Sequence, residues 1–264
     1  MITFIVVSYA LDWWWTGFPP LEPTGDKSAP KTLWDWLGLL IIPAVLGFGA
    51  IWFNNQARKS EQAIAQDRAQ EEALQRYLDT MQGLILDKGL RATDSNKEIR
   101  DVARVRTLAV VRSLNGNRKG HVVRFLHEAD LIGPPKEESG EWQPEKAIIS
   151  LKDADLSTVY LEGVTLSGVD LSFTNLSNAI LHRSFIDCSR LIKANLMNAN
   201  LRRTNLFQTD LSGTDRRGAD LSDATECTHQ QLAQAEHLVG ATLPDGTVIR
   251  TKQDESAFKK RYRK

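Results

Sequence analysis

The sequence predicts three parts in series: a transmembrane α-helix, a small α-helical unit, and an all-β repeat solenoid closed by a C-terminal helical cap. Three observations carry this expectation. Residues 37–53 hold no charged side chain. After that run no proline occurs before Pro134, and apolar residues recur at helical spacing. From Leu151 onward, a leucine returns every five residues.

Composition narrows the function classes before any motif is considered. The 264 residues carry 33 Lys+Arg against 33 Asp+Glu, with 42% hydrophobic and 25% charged residues. That is ordinary for a folded chain and excludes a wholly disordered or collagen-like one. It also lacks the charge bias of a dedicated nucleic-acid binder, so no nucleic-acid partner is expected. Two cysteines, Cys188 and Cys227, make no disulfide framework and demand no oxidising compartment.

The predicted span is Leu33–Phe53. With Trp34 and Trp36 the apolar run is about 20 residues, or roughly 30 Å of helix, which matches a bilayer core. No face is polar, which makes a buried core helix hard to sustain as the alternative. Trp34, Trp36 and Trp52 suit the two interfaces of an aromatic belt. Arg58, Lys59 and Arg68 follow the span while Lys27 and Lys31 precede it. That excess favours a single-pass chain with its C-terminal side cytoplasmic and membrane lipid as a partner. Residues 2–15 are apolar and Trp-rich but too short to span alone. A two-pass arrangement and a truncated first span therefore stay open for the N-terminal segment and loop at 1–32.

A helical unit is expected over 54–132. Asn54–Lys88 is rich in strong helix formers, and Leu74, Tyr77, Leu78, Met81, Leu84 and Ile85 form a stripe at spacings of three and four. Asn54–Gln70 is polar all round, which suits a helix that bridges solvent or pairs with another chain; a homo-oligomer through this segment is one expectation. Clean heptads are too few to define a coiled coil. Ser95 with Glu98 has the pattern of a capping box. Ile99, Val102, Ala103, Arg106, Ala109 and Val110 then give the expected inner face of a second helix, and a third runs from about Arg118 to Ala129. His121 and His127 lie six apart, off a common helical face, and read as surface or packing residues. Gly133-Pro134-Pro135 opens a linker expected over 133–148.

The five-residue period is the most specific signal. Its central positions are Leu151, Leu156, Leu161, Leu166, Leu171, Leu176, Leu181, Ile186, Leu191, Leu196, Leu201, Leu206, Leu211, Arg216 and Leu221. Two residues before each centre stands a small or β-branched residue, and Asp or Asn often lies between. Five residues advance a helix by about 500°, so the leucines would spiral round every face. In a strand an odd period sends them to alternate faces. They stay inside together only if the chain turns once per repeat, which is the logic of a solenoid.

The motifs A-D-L-S-T (154–158), A-N-L-M-N (194–198), A-N-L-R-R (199–203) and A-D-L-S-D (219–223) closely resemble pentapeptide-repeat proteins. The segments K-T-L-W-D-W-L and D-R-A-Q-E-E-A-L-Q-R-Y-L-D look like those of membrane-anchored bacterial members. The resemblance implies a right-handed quadrilateral β-helix over 149–225, with four repeats per coil and nearly four coils. Arg216 breaks the leucine pattern. A guanidinium in an apolar interior is costly, so a distorted last coil that lets Arg216 reach solvent is expected. A cap at 226–249, opened by Thr228-x-x-Gln231, and a basic tail at 250–264 complete the chain.

Four repeats per coil place residues twenty apart above one another. Tyr160, Ile180, His182, Arg183, Arg202 and Arg203 then share one face, with Phe185 and Phe207 on the adjoining face. This basic and aromatic cluster is the candidate interaction face, for an anionic or protein partner, or for docking of the chain's own helices. No phosphate-binding loop, dinucleotide turn, H-E-x-x-H or C-x-x-C occurs, and the repeat Asp are periodic rather than convergent. No catalytic residue, metal site or cofactor is expected. The leading expectation is a non-enzymatic membrane-tethered scaffold that binds an unidentified protein. An accessory subunit in membrane signalling or transport is the alternative. A gyrase-directed DNA mimic, known in the family, fits poorly because mimicry needs an acidic rod.

Overall fold

The computed structural model describes residues 33–91, 97–133 and 147–263, with side chains in the first helix described from Val45 onward. The N-terminal segment 1–32 and residues 134–146 of the expected linker lie outside the described residues. The chain divides into two units, Met1–Asp67 and Arg68–Lys264.

Helix α1 runs Leu33–Leu86. In the first unit its residues Val45, Leu46, Phe48, Ile51, Trp52 and Phe53 are 60–76% exposed. Only this C-terminal part of the expected span has described side chains. No helix among the described residues is long and apolar enough to cross a membrane. The transmembrane helix at 33–53 is thus not shown by the structure.

In the second unit the end of α1 packs with α2 (Lys97–Ser113) and α3 (Gly116–Glu128). Leu74, Tyr77 and Met81 of α1 are buried with Val111, Val122 and Leu126. The inner face of α2 differs from the expected one: Ala103, Thr107 and Val111 point inward, while Val102 and Val105 are exposed. Thr107 explains the rotation. Its hydroxyl meets the Tyr77 hydroxyl at 2.8 Å and donates to the Ala103 carbonyl, so a polar residue is satisfied in the core. Burial pushes the Tyr77 phenol well above its ordinary range. Asn115 caps α3 by accepting from the Arg118 amide. The helix therefore starts at Gly116, earlier than the sequence suggested.

The solenoid follows as a regular ladder. Parallel bridges join Asp155 to Asn175, Tyr160 to Ile180, Thr165 to Phe185 and Asp170 to Arg190, and continue at the same offset of twenty residues to Thr225. Four five-residue sides therefore make one coil, stacked at about 4.8 Å as neighbouring strands are. The structure places the central Leu and Ile residues inside, each no more than 2% exposed. Burying each such side chain contributes roughly 1.5–3 kcal/mol.

The other repeat positions have separate jobs. Asp or Asn before the centre accepts the amide two residues on, as Asp155 does from Ser157, Asn195 from Met197 and Asp220 from Ser222. This is an Asx turn, and it makes the recurring Asp residues turn-formers. Buried hydroxyls two before the centre bond carbonyls of the coil below: Ser184 to Leu161, Thr204 to Leu181, Thr209 to Ile186. The residue two after the centre takes positive φ at each corner, even where it is Thr158 (φ 59°) or Arg183 (φ 59°).

The first coil needs a cover for its open backbone edge. Helix α3 supplies it. The Tyr160 amide donates to the Gly116 carbonyl at 3.0 Å. A Cβ on Gly116 would lie 1.9 Å from the Thr158 oxygen, and one on Gly120 would lie 2.2 Å from the Tyr160 oxygen. Two glycines one helical turn apart thus let helix backbone touch coil backbone. Lys119, between them, is buried and donates to the Ser157 carbonyl at 3.0 Å, with Asp155 3.6 Å away.

At the other end, the solenoid resumes after an insertion that contains α4 (His229–Ala233). Asp215 bridges His237 and Asp220 bridges Thr242, so Leu238 and Leu243 continue the buried stack five residues apart. The tail is helical: α5 (Lys252–Tyr262) has a capping box between Thr251 and Asp254. It packs on α4 through His229, which stacks on Tyr262 at 4.7 Å beside Phe258. The basic tail is thus a docked helix, held by an aromatic pair four residues apart.

Arg216 corrects an expectation. It does not reach solvent; its own coil keeps the twenty-residue offset to the coil before it, and the distortion falls in the next coil, where the insertion shifts the offset to 22. Its side chain is fully buried at the leucine position, and Nη2 donates to the carbonyls of Gln231 and Leu232 at 3.4 and 3.2 Å. Those carbonyls belong to the last turn of α4, where a helix presents partial negative charge. The inserted cap helix supplies acceptors that the repeat itself lacks.

Candidate interaction surface

The face proposed from the sequence is assembled by the bridge register. Tyr160 pairs with Ile180, and the column continues through Asn200 to Asp220. Tyr160 and Ile180 are both 37% exposed. His182 Nδ1 donates to the Arg202 carbonyl at 3.0 Å, so the histidine braces the turn above it. Arg202 Nε lies 3.8 Å from Asp220, and Arg203 Nε lies 3.5 Å from Asp223. The face carries Glu162, Asp220 and Asp223 beside Arg183, Arg202 and Arg203. It is charge-mixed rather than basic. Each of these exposed pairs contributes about 0–1 kcal/mol and leaves its arginine free to exchange partners.

Phe185 and Phe207 stand on the adjoining face, 48% and 45% exposed. Phe185 sits in the column Thr165–Phe185–Asn205–Thr225. Phe207 borders an open groove of about 700 Å³ that Thr209, Cys227, Thr228 and Gln231 also line. The chain's own α3 covers the edge of the first coil through Gly116, and Tyr160 remains partly exposed above it.

Phe173 was missed by the sequence reading. It is 44% exposed, with the Lys152 and Lys193 ammonium groups 5.0 and 5.8 Å from its ring centre. The twenty-residue offset from 173 to 193 carries the signal for Lys193, whereas Lys152 stands one residue before the column. Asp170, Arg190 and Asp210 stack in one column, with signs that alternate.

The groups with chemical potential are held in structural roles. Burial pushes the Cys227 thiol up to about 11, although Arg216 pulls the other way. Burial and Asp187 also raise Cys188. Neither thiol is activated. Among the described residues no three His, Cys, Asp or Glu side chains converge on a metal position. His121 is exposed, and His127 is partly covered.

Comparison with known proteins agrees on the repeat region. The family model for pentapeptide repeats matches residues 149–184 and 189–225, with eight copies. No curated protein matches the chain. Among solved structures, the chain is similar to QnrB1, a plasmid-mediated fluoroquinolone resistance protein, at 13% identity over 44% of this chain and 64% of that one (TM-score 0.31). It is similar to the pentapeptide repeat protein Rfr23 from the cyanobacterium Cyanothece 51142, at 30% identity over 34% of this chain and 63% of that one (TM-score 0.14). A third, alr5209 from Nostoc PCC 7120, shares 27% identity over 33% of this chain and 84% of that one (TM-score 0.16). The chain thus spans just under two thirds of the first two. Pentapeptide repeats imply a right-handed quadrilateral β-helix, which agrees with the four-sided register described above. Residues 149–184 and 189–225 of this chain thus carry pentapeptide repeats.

Proposed function

We propose that the chain is a non-enzymatic, membrane-tethered scaffold whose solenoid presents a binding surface to a protein partner. One observation carries the binding part: Phe185 and Phe207 are each almost half exposed on one side of the solenoid, with Phe207 beside a groove and charge-mixed arginines on the neighbouring side. Monomeric surfaces rarely leave such aromatic area uncovered without use. The balanced charges favour a protein over an anionic polymer. The tether is supported by the uncharged run 37–53 and by the exposed apolar side chains at the end of that run. The basic residues that follow the run favour a cytoplasmic solenoid.

The two parts are tested separately. Carbonate extraction of membranes from the native cell reads the tether: the full chain stays in the pellet, and release into the supernatant contradicts it. Affinity capture of the full chain reads the surface. Phe185→Ala/Phe207→Ala and Arg183→Glu/Arg202→Glu/Arg203→Glu are each expected to lose the same partner. Retention of that partner by both variants contradicts the proposed face.

A further inference from the structure

The helical unit carries a face that the described residues leave uncovered. In α2, Glu98, Val102, Val105, Ala109 and Arg112 are all exposed. Val102 is 47% and Val105 is 64% exposed. The five residues are spaced four, three, four and three apart, which is the seam repeat of paired helices. This short register was invisible as a heptad in the sequence, because its two end positions are charged.

The charges make the stripe directional. It starts with Glu98, is apolar at the centre and ends with Arg112. Parallel copies would oppose Glu98 to Glu98 and Arg112 to Arg112. Antiparallel copies, related by a two-fold axis at Val105, bring each Glu98 opposite the other chain's Arg112 and pack Val105 on Val105. A two-fold contact needs a patch complementary to itself under that rotation, and this stripe is. Beside it a groove of about 620 Å³, lined by Ala73, Tyr77 and Val110, has room for side chains that flank the seam. Arg76, Arg106 and Asp79 line the same groove, so its wall is charge-mixed.

We infer that α2 pairs antiparallel with α2 of a second copy of this chain. The contact is one 17-residue helix long. It therefore falls short of the roughly 800 Å² per partner of a standard stable interface. The pairing is weak in dilute solution and strengthens when copies are concentrated. Confinement to a membrane would do that, and this clause alone rests on the tether proposed above.

The test is disulfide trapping of the full chain, with Cys188 and Cys227 replaced by serine, in detergent and in reconstituted vesicles. Val105→Cys lies on the axis and is expected to give an oxidised dimer, at least ten-fold more than Lys260→Cys on α5. Adding E98R or R112E alone lowers the yield at least five-fold. The double reversal E98R/R112E restores it, because the pair is only exchanged across the axis. Melting curves of each variant separate lost pairing from lost folding. Absence of a Val105→Cys dimer in both settings, or single reversals without effect in a folded chain, overturns the proposal. A double reversal that fails to restore the dimer overturns the antiparallel pairing. A dimer in detergent from a chain that carbonate releases from membranes keeps the pairing and removes the tether.

Discussion

Arg216 Nη2 donates to the Leu232 carbonyl at 3.2 Å, so a guanidinium buried inside the solenoid closes the last turn of the cap helix. The contact is poorly rewarded. Nε and Nη1 have no hydrogen-bond partner, and burial pulls the Arg216 pKa from 12.5 down to about 10. The acceptor carbonyls of Gln231 and Leu232 also receive the amides of Gln234 and Ala235. Arg216→Leu removes a buried unpaired charge and restores the repeat pattern. It is expected to stabilise the chain by roughly 1–3 kcal/mol. Thermal unfolding of the two proteins checks this. A fall in melting temperature would mean that the cap bonds outweigh the desolvation.

Gly120 tests the close approach of α3 to the first coil. In an exposed helix Gly→Ala gains about 1 kcal/mol. Here the added Cβ would lie 2.2 Å from the Tyr160 oxygen. Gly120→Ala should therefore lose about 1–3 kcal/mol, as overpacked sites do. Gly83→Ala is the control. Its Cβ meets only Asp87, at 3.8 Å, so it should gain stability. Denaturant midpoints for the pair report the sign of each change.

Asp155 predicts a pH dependence. Burial would raise its carboxyl, but bonds from the Ser157 hydroxyl and amide, with the Lys119 ammonium, outweigh burial and hold it below 3.8. A depressed carboxylate contributes stability above its unfolded pKa and loses it as pH falls through the folded value. The side chain is 36% exposed, so screening keeps the contribution under about 1 kcal/mol. Asp155→Asn keeps the turn acceptor and removes the charge. The difference from wild type should be present at pH 7 and shrink as the pH falls below 3.8 through the folded value, as followed by urea unfolding.

Thiol labelling should be ordered. Cys188 is a corner residue with a modest upward shift, whereas burial pushes Cys227 up to about 11. Iodoacetamide at pH 8 is expected to modify Cys188 first, with Cys227 protected until the cap opens. Peptide mapping over time decides the order.

The repeat was legible because one rule, a buried centre every five residues, sets the coil. Leu156 and its successors obey it locally, without long-range information. The Asx role of Asp155 or Asp220 was hidden, since a turn acceptor and a catalytic acid look alike in sequence. Arg216 was misread because its acceptors, Gln231 and Leu232, belong to an insertion that breaks the period. Leu238 and Leu243 keep the spacing of five but start out of phase with Leu221, so the resumed coil escaped notice. Nothing in the sequence marks Gly116 and Gly120 as contact glycines; only the facing coil shows why no side chain fits there. The face around Arg183 and Phe207 was legible from the twenty-residue offset, but not its ion pairs with Asp220 and Asp223, which depend on side-chain reach.

The scaffold reading is tested most directly by proximity labelling in the native cell, with the label fused to the full chain. It predicts a reproducible set of neighbours that includes membrane proteins, from which one protein disappears in the Phe185→Ala/Phe207→Ala variant while carbonate extraction is unchanged. An identical neighbour set for both chains, or no reproducible neighbour at all, would contradict it.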